Sequence, residues 1–298
     1  MTAFYKSMNT DRDANRREKW KRHREQTSDF IREVTDLISR KGSIAVFGAG
    51  NCDDLELELM TSNYDKVVLI DIDKEAVKQG ISYLPEVDRQ KIEIIETDLV
   101  NMSTFREEFS KKLEENLPKK KLSKYLRSIQ LKNEEFHEAY KGAFDVTVIA
   151  AIQTQLFYNE AVFILSERGG YLTTDEIKDI TLDLVYVRDQ VIPSFISMVY
   201  DCTKDDGYMI QWTDIIEINH SNVAMLDEIE KLYTGKDRIN YVNKMCNSYG
   251  IPAGVNSYKL FYKRINSEYG KFLMRYWRWP FADNKHYFVV GLYGQKGV

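Results

Sequence analysis

Apolar and polar positions change rhythm along the chain. Phe30, Ile31, Val34, Leu37 and Ile38 recur at helical spacing, so residues from about Asp11 to Ser39 read as a helix with a densely charged first half, stopped by Gly42. Short apolar runs then alternate with helix-compatible stretches. Ser43–Gly48 (SIAVFG), Lys66–Asp71 (KVVLID), Lys91–Asp98 (KIEIIETD) and Phe144–Ala151 (FDVTVIAA) read as four buried strands, with Asp53–Ser62 and Lys74–Leu84 as helices between them. Continuous apolar strands separated by helices predict a parallel sheet covered on both faces, hence an α/β protein. The long charged stretch at about 101–142 predicts two helices broken near Pro118, serving as a surface pair or a lid. Further on come a helix over Thr174–Cys202 with a kink at Pro193, a fifth strand over Tyr208–Ile218, a mostly helical Ser221–Tyr249 and a loop around Ile251–Asn256. Two β-rich runs, KFLMRYWRWPF and HYFVVGLYG, joined by a polar turn at Ala282–Lys285, predict a closing antiparallel hairpin.

Composition narrows the class. A chain of 298 residues, 43% of them apolar, suffices for one large α/β domain with insertions. The net charge of −4 gives no general attraction to DNA or to anionic membranes. No apolar run approaches the roughly 20 residues that span a bilayer, and the first residues lack the apolar stretch of a secretory signal. Cys52, Cys202 and Cys246 show no metal-ligand spacing and read as reduced thiols of a cytoplasmic protein, with no metal expected. The basic run Arg16, Arg17, Lys19, Lys21, Arg22 and Arg24 is diluted by Asp11, Asp13, Glu18 and Glu25 and reads as a solvated helix face.

The candidate chemistry lies where the first strand ends, at Val46-Phe47-Gly48-Ala49-Gly50-Asn51-Cys52-Asp53. Glycines there let backbone approach a ligand, and a helix N-terminus following them would offer free N–H groups. Asp71 ends the second strand about twenty residues beyond Gly50, where a carboxylate can accept both hydroxyls of an adenosine ribose. Together these mark a nucleoside site on a Rossmann-like fold. A nicotinamide dinucleotide normally finds a third glycine where Cys52 and Asp53 stand, and Asp53 and Asp54 would crowd its pyrophosphate. S-adenosylmethionine (SAM) has no phosphate and carries an ammonium that carboxylates tolerate. Asp98, ending the third strand, can take the adenine amine while Ile72 and Leu99 flank the ring. It can equally serve as a helix N-cap.

The segments GAGN (Gly48–Asn51), Asp71, Asp98 and FDVTVIAAIQTQLF, with the terminal hairpin, resemble the class I SAM-dependent methyltransferases. The resemblance runs from about residue 41 to 298, leaving residues 1–40 as an N-terminal helical extension and 101–142 as an insertion. It implies a three-layer Rossmann-like fold whose mostly parallel seven-stranded sheet ends in an antiparallel hairpin, with SAM across the strand ends. By position, Gly48, Ala49 and Gly50 would contact the methionine part, Asp71 the ribose, Asp98 the adenine, and Ala150 the sulfonium side. Two departures stand out. Val46 occupies a position where the family often has an acid, and Cys52 replaces the third glycine, so Asn51 or Asp53 is expected to hold the amino group instead.

In that fold the segment after the fourth strand faces the methyl. Gln153 and Gln155 are candidates to orient the acceptor, and the lack of an NPPY-like sequence argues against DNA-base amines. His220, beyond the fifth strand, is the leading candidate base, with His286 second and His23 and His137 weaker. Trp277 and Trp279 are candidates for an acceptor wall or for plain core. The reading is a SAM-dependent methyltransferase acting on an O or N atom of a small molecule, with no oligomer indicated. Its alternatives are an NAD(P)-dependent oxidoreductase and an RNA-binding or RNA-modifying methyltransferase using the basic N-terminal helix.

Overall fold

The computed structural model describes residues 15–39, 41–232, 235–265 and 273–297; residues 11–14 of the expected first helix lie outside these. Strands form where the apolar runs fall: β1 (Ser43–Phe47), β2 (Lys66–Asp71), β3 (Ile92–Glu96), β4 (Phe144–Ala150), β5 (Thr203–Ile218), β6 (Leu273–Ala282) and β7 (Lys285–Gln295). They make one seven-stranded sheet in the order β3-β2-β1-β4-β5-β7-β6. The pairs from β3 through β5 are parallel, and β7 enters antiparallel between β5 and β6. This order, with helices on both sides, is a three-layer Rossmann-like fold whose mostly parallel seven-stranded sheet ends in an antiparallel hairpin. Pro280 fits because β6 is an edge strand, where a missing N–H breaks no central ladder.

The central strands read as unbroken apolar runs because both faces are buried. Ile44, Val46, Val67 and Leu69 enter one core, and Ala45, Phe47, Val68 and Ile70 the other. The N-terminal segment forms α1 (Arg16–Lys19) and α2 (Lys21–Leu37), which meet at Trp20. Although outside the stretch that carries the family resemblance, it packs on the sheet. Trp20, Phe30, Ile31 and Val34 share a core with Trp277, Trp279 and Tyr293 of β6 and β7. The same side carries α3 (Leu57–Asn63) and α4 (Lys74–Ile81), with α5 (Glu86–Arg89) following.

The opposite side is larger. The insertion folds as three helices rather than two: α6 (Met102–Glu114), α7 (Lys119–Ser128) and α8 (Glu134–Tyr140). Asn133 starts the third by accepting the Phe136 N–H on its side chain. Phe105, Phe109, Leu122, Leu126 and Phe136 bury these helices in the core beside α9 (Tyr158–Arg168) and α10 (Thr174–Cys202). A two-pronged bond from Arg106 to Glu160 ties α6 to α9. Thr173 and Glu176 form a capping box at the start of α10, and Pro193 lies within that helix without ending it. Then follow α11 (Met225–Glu230), α12 (Gly235–Tyr249) and α13 (Pro252–Ile265).

The last of these corrects the expected loop at Ile251–Asn256. Pro252 occupies the first helical position, where no N–H is needed, and Gly254 lets the helix touch β5. A Cβ on Gly254 would stand 2.0 Å from the Asp214 carbonyl oxygen.

Candidate functional site

β1 lies between β2 and β4, so the chain runs from β1 out to one edge through β2 and β3 and then crosses back to β4 on its other side. The crevice beyond the strand ends at such a reversal is the usual ligand site of an open α/β sheet. A cavity opens there, with about 1090 Å3 of space between atoms including its open mouth. All ten residues expected to meet the cofactor line it: Gly48, Ala49, Gly50, Asn51, Asp53, Asp71, Ile72, Asp98, Leu99 and Ala150.

The turn after β1 explains its residues. Gly48 and Gly50 have φ of 84° and 50°, which side chains disfavour. A Cβ on Gly48 would also meet Ile152 at 2.6 Å, whereas Gly50 faces open space. Cys52, standing where the third glycine would be, keeps the left-handed backbone at φ 57°. Ala151, directly after β4, is likewise left-handed at 47°.

The expected helix N-terminus is absent from the turn. The helix starts at Leu57, and several amides before it donate within the protein. Gly48 and Ala49 donate to the Ile70 carbonyl, Cys52 to the Ala49 carbonyl, and Gly50 to Asp71 Oδ2 at 2.8 Å. Asp71 Oδ1 accepts the Asp73 N–H at 2.9 Å. Burial pushes the Asp71 carboxyl above its ordinary value, against the pull of those two N–H groups. The Ile72 N–H adds a weaker pull, and a carboxylate's roughly four acceptor sites still leave room for a ribose hydroxyl.

Asp98 lines the cavity and is not the N-cap of α6, which is Asn101, but its side chain holds the first turn of that helix. Its Oδ2 accepts the Ser103 N–H and hydroxyl at 2.6 and 2.7 Å, and its Oδ1 accepts the Val100 N–H at 3.3 Å. Asp53 pairs with Arg16 at 2.7 Å.

Half of the basic run clamps this turn, and the other half is the exposed face the sequence predicts. Besides Arg16, Arg24 donates to the Asp53 carbonyl at 3.0 Å, Arg17 reaches the Cys52 and Leu55 carbonyls, and Thr27 binds the Asp54 carbonyl at 2.6 Å. Lys19, Lys21 and Arg22 are exposed, Lys19 pairing with Asp283 at 2.5 Å. Arg16 and Trp20 also line the cavity, facing Trp279 and Phe281 of β6.

The candidate catalytic residues divide. Gln155 lines the cavity. Gln153 does not; it is buried, with neither amide atom partnered among the described residues. His220 is exposed and lies outside the cavity lining, in a loop turned by Asn219 and Asn222. His286, opening β7, and His137, bound to Asp201 at 3.0 Å, lie outside the lining too. His23 is a core group: Trp277 donates to its Nδ1 at 2.8 Å and Trp279 stacks on it at 4.1 Å. On the surface of α8, Glu134, His137 and Glu138 bring three possible ligand atoms within 4.8 Å of one another.

Sequence reasoning missed Asp54 as a site residue. Asp54 lines the cavity, and its carboxylate accepts the Trp212 Nε1–H at 3.1 Å. Burial pushes it up to about 6, opposed chiefly by that bond. The folded state thus holds the Asp54 proton more tightly than the unfolded chain, whose ordinary value is 3.8. Its contribution to stability therefore grows as pH falls through about 6 and is complete below 3.8. His23 acts oppositely: burial and then Arg24 lower it to about 3, so stability is lost as pH falls through 6.5. The two trends oppose, so the test is a difference. Between pH 7 and 5 the wild type should gain on the order of 1 kcal/mol relative to Asp54→Asn. Denaturant titrations at both pH values measure it, and an unchanged difference contradicts the burial of this charge.

No protein-family model matches the chain, and no curated protein sequence matches it. Solved structures with a related fold include the YcgJ protein of Bacillus subtilis, with 9% identity over 92% of this chain and 99% of that one and a TM-score of 0.44. A SAM-dependent methyltransferase of Methanosarcina mazei shares 13% identity over 90% and 97%, with a TM-score of 0.40. An rRNA methylase of Streptococcus thermophilus shares 10% over 89% and 92%, with a TM-score of 0.35. At these values the fold assignment rests on the strand order of the chain itself. No helix among the described residues is long and apolar enough to cross a membrane.

Proposed function

We propose that this chain is a SAM-dependent methyltransferase that methylates an O or N atom of a small molecule. The observation that carries this reading is the character of one cavity. At its centre is a glycine turn whose amides are already engaged, and around that turn stand the carboxylates Asp53, Asp54, Asp71 and Asp98. A pyrophosphate needs free N–H groups and positive charge. An adenosine with a cationic tail needs acceptors for its ribose and amine and tolerates acids around its ammonium. The open space over Gly50 and the spare lone pairs of Asp71 fit that group, so NAD(P) is the poorer match.

In this reading Gly48, Ala49 and Gly50 hold the methionine part, with Asn51 or Asp53 at its amino group. Asp71 holds the ribose, Asp98, Ile72 and Leu99 the adenine, and Ala150 borders the sulfonium. SAM supplies an electrophilic methyl, so the protein's task is chiefly alignment, which can contribute about 7 kcal/mol or more. Gln155, which lines the cavity, is the residue of the loop after β4 that this reading assigns to orient an acceptor. The use of Arg16, Arg17 and Arg24 as an internal clamp argues against RNA as the acceptor. The three buried free thiols suit a cytoplasmic protein.

Mass spectrometry of ligand released from freshly purified protein tests the reading. SAM or S-adenosylhomocysteine is expected, and a nicotinamide dinucleotide in their place would refute it.

A further inference from the structure

The cavity has two ends of different chemistry. Asp71 and Asp98, expected to hold the nucleoside, close the β2–β3 end. The other end lies toward β5, because Trp212, which binds the Asp54 carboxylate, stands beside Ala150 in the β4–β5 register. Aromatic rings wall that end: Trp20 lies 4.8 Å from Trp279 and 5.4 Å from Phe281, and those two are 5.1 Å apart. The wall already attracts a cation, since the Arg16 guanidinium sits 5.0 Å from the centre of Trp20. That guanidinium is bound to Asp53, and the other charged groups lining the cavity are the carboxylates of Asp54, Asp71 and Asp98. An anionic acceptor would meet the carboxylates of Asp54, Asp71 and Asp98; an ammonium would meet Asp54 beside the aromatic wall, where the charge of Arg16 is already offset by Asp53.

We propose that the methyl acceptor is an arylalkyl amine, its ring against Trp279 and Phe281 and its ammonium at Asp54, which takes up the proton that blocks the nitrogen. The proposal rests on the methyltransferase reading above and adds the acceptor class and the base. An amine in its ammonium form has no lone pair to attack with, so this is the case in which methyl transfer requires a base. The Asp54 carboxylate receives one proton and becomes the acid, leaving a neutral amine. The nitrogen lone pair then forms the C–N bond as the C–S bond of the bound donor breaks, its electron pair remaining on sulfur. The positive charge passes to the methylated nitrogen, in front of the same rings. The charged groups bearing on Asp54 are Asp53 on its own turn and Arg16 from α1, of opposite sign.

Calorimetric titration of the full chain, with S-adenosylhomocysteine present, separates the possibilities using phenethylamine, 2-phenylethanol and phenylacetate. The amine should bind at least tenfold more tightly than the alcohol, and phenylacetate most weakly. Asp54→Asn should bring the amine to the level of the alcohol while leaving the alcohol unchanged; Phe281→Ala should weaken amine and alcohol alike. A merely structural role for Asp54 would weaken both ligands equally in Asp54→Asn, and that result overturns the proposal. So does phenylacetate binding as tightly as the amine, or no binding of any of the three. Failure of S-adenosylhomocysteine itself to bind would instead remove the reading beneath it.

Discussion

Replacing Asp71 by Ala is expected to weaken S-adenosylhomocysteine binding about 100-fold or more while the sheet remains folded. Hydrogen bonds to a charged carboxylate contribute about 1.5–3 kcal/mol each, and the ribose would make two. The same substitution strips the Gly50 and Asp73 N–H groups of their acceptor, so the turn that shapes the cavity loses its tie to β2. Asp71→Asn should recover little. An amide offers one acceptor oxygen where the carboxylate offers two, and its NH2 cannot accept the N–H it would face. Titration calorimetry on both variants measures the effect. A loss below threefold would mean that Asp71 serves the turn and not the ligand.

The second large effect concerns the clamp. Arg16→Ala should lower stability by about 3 kcal/mol, because the Asp53 side chain is only 1% exposed and would lose its guanidinium partner. For a chain of this size that corresponds to a fall in Tm on the order of 5–10 °C. Arg22→Ala, two turns along on the exposed side of α2, should change stability by less than about 0.5 kcal/mol. Parallel melting curves decide the matter. If the two variants behave alike, the N-terminal segment rests on the sheet without gripping the glycine turn.

The pattern of residues made the sheet legible for a physical reason. Strands buried on both faces, such as SIAVF and KVVLID, must be apolar throughout, and a crevice above their ends collects whatever polar residues terminate them. That is why Gly48, Gly50, Asp71, Asp98 and Ala150, widely separated in sequence, meet at one cavity. Where the reading failed, the missing information was tertiary. Pro252 and Gly254 signal a loop by type, yet one opens a helix and the other permits its close approach to β5. Arg17 and Arg24 resemble solvated charges because most of their partners are backbone carbonyls, which leave no trace in side-chain identity. His220 has the expected place after β5, but the Asn219–Asn222 turn leaves it at the surface. Asp54 counted only as charge unfriendly to pyrophosphate, because nothing local shows that Trp212, far along the chain, would hold it against the cavity.

Titration of the wild-type protein with S-adenosylhomocysteine and, separately, with NAD goes to the centre of the account. Saturable one-to-one uptake of the first, at micromolar concentration or below, with no heat from the second, is the expected result. Uptake of NAD with indifference to S-adenosylhomocysteine would contradict it.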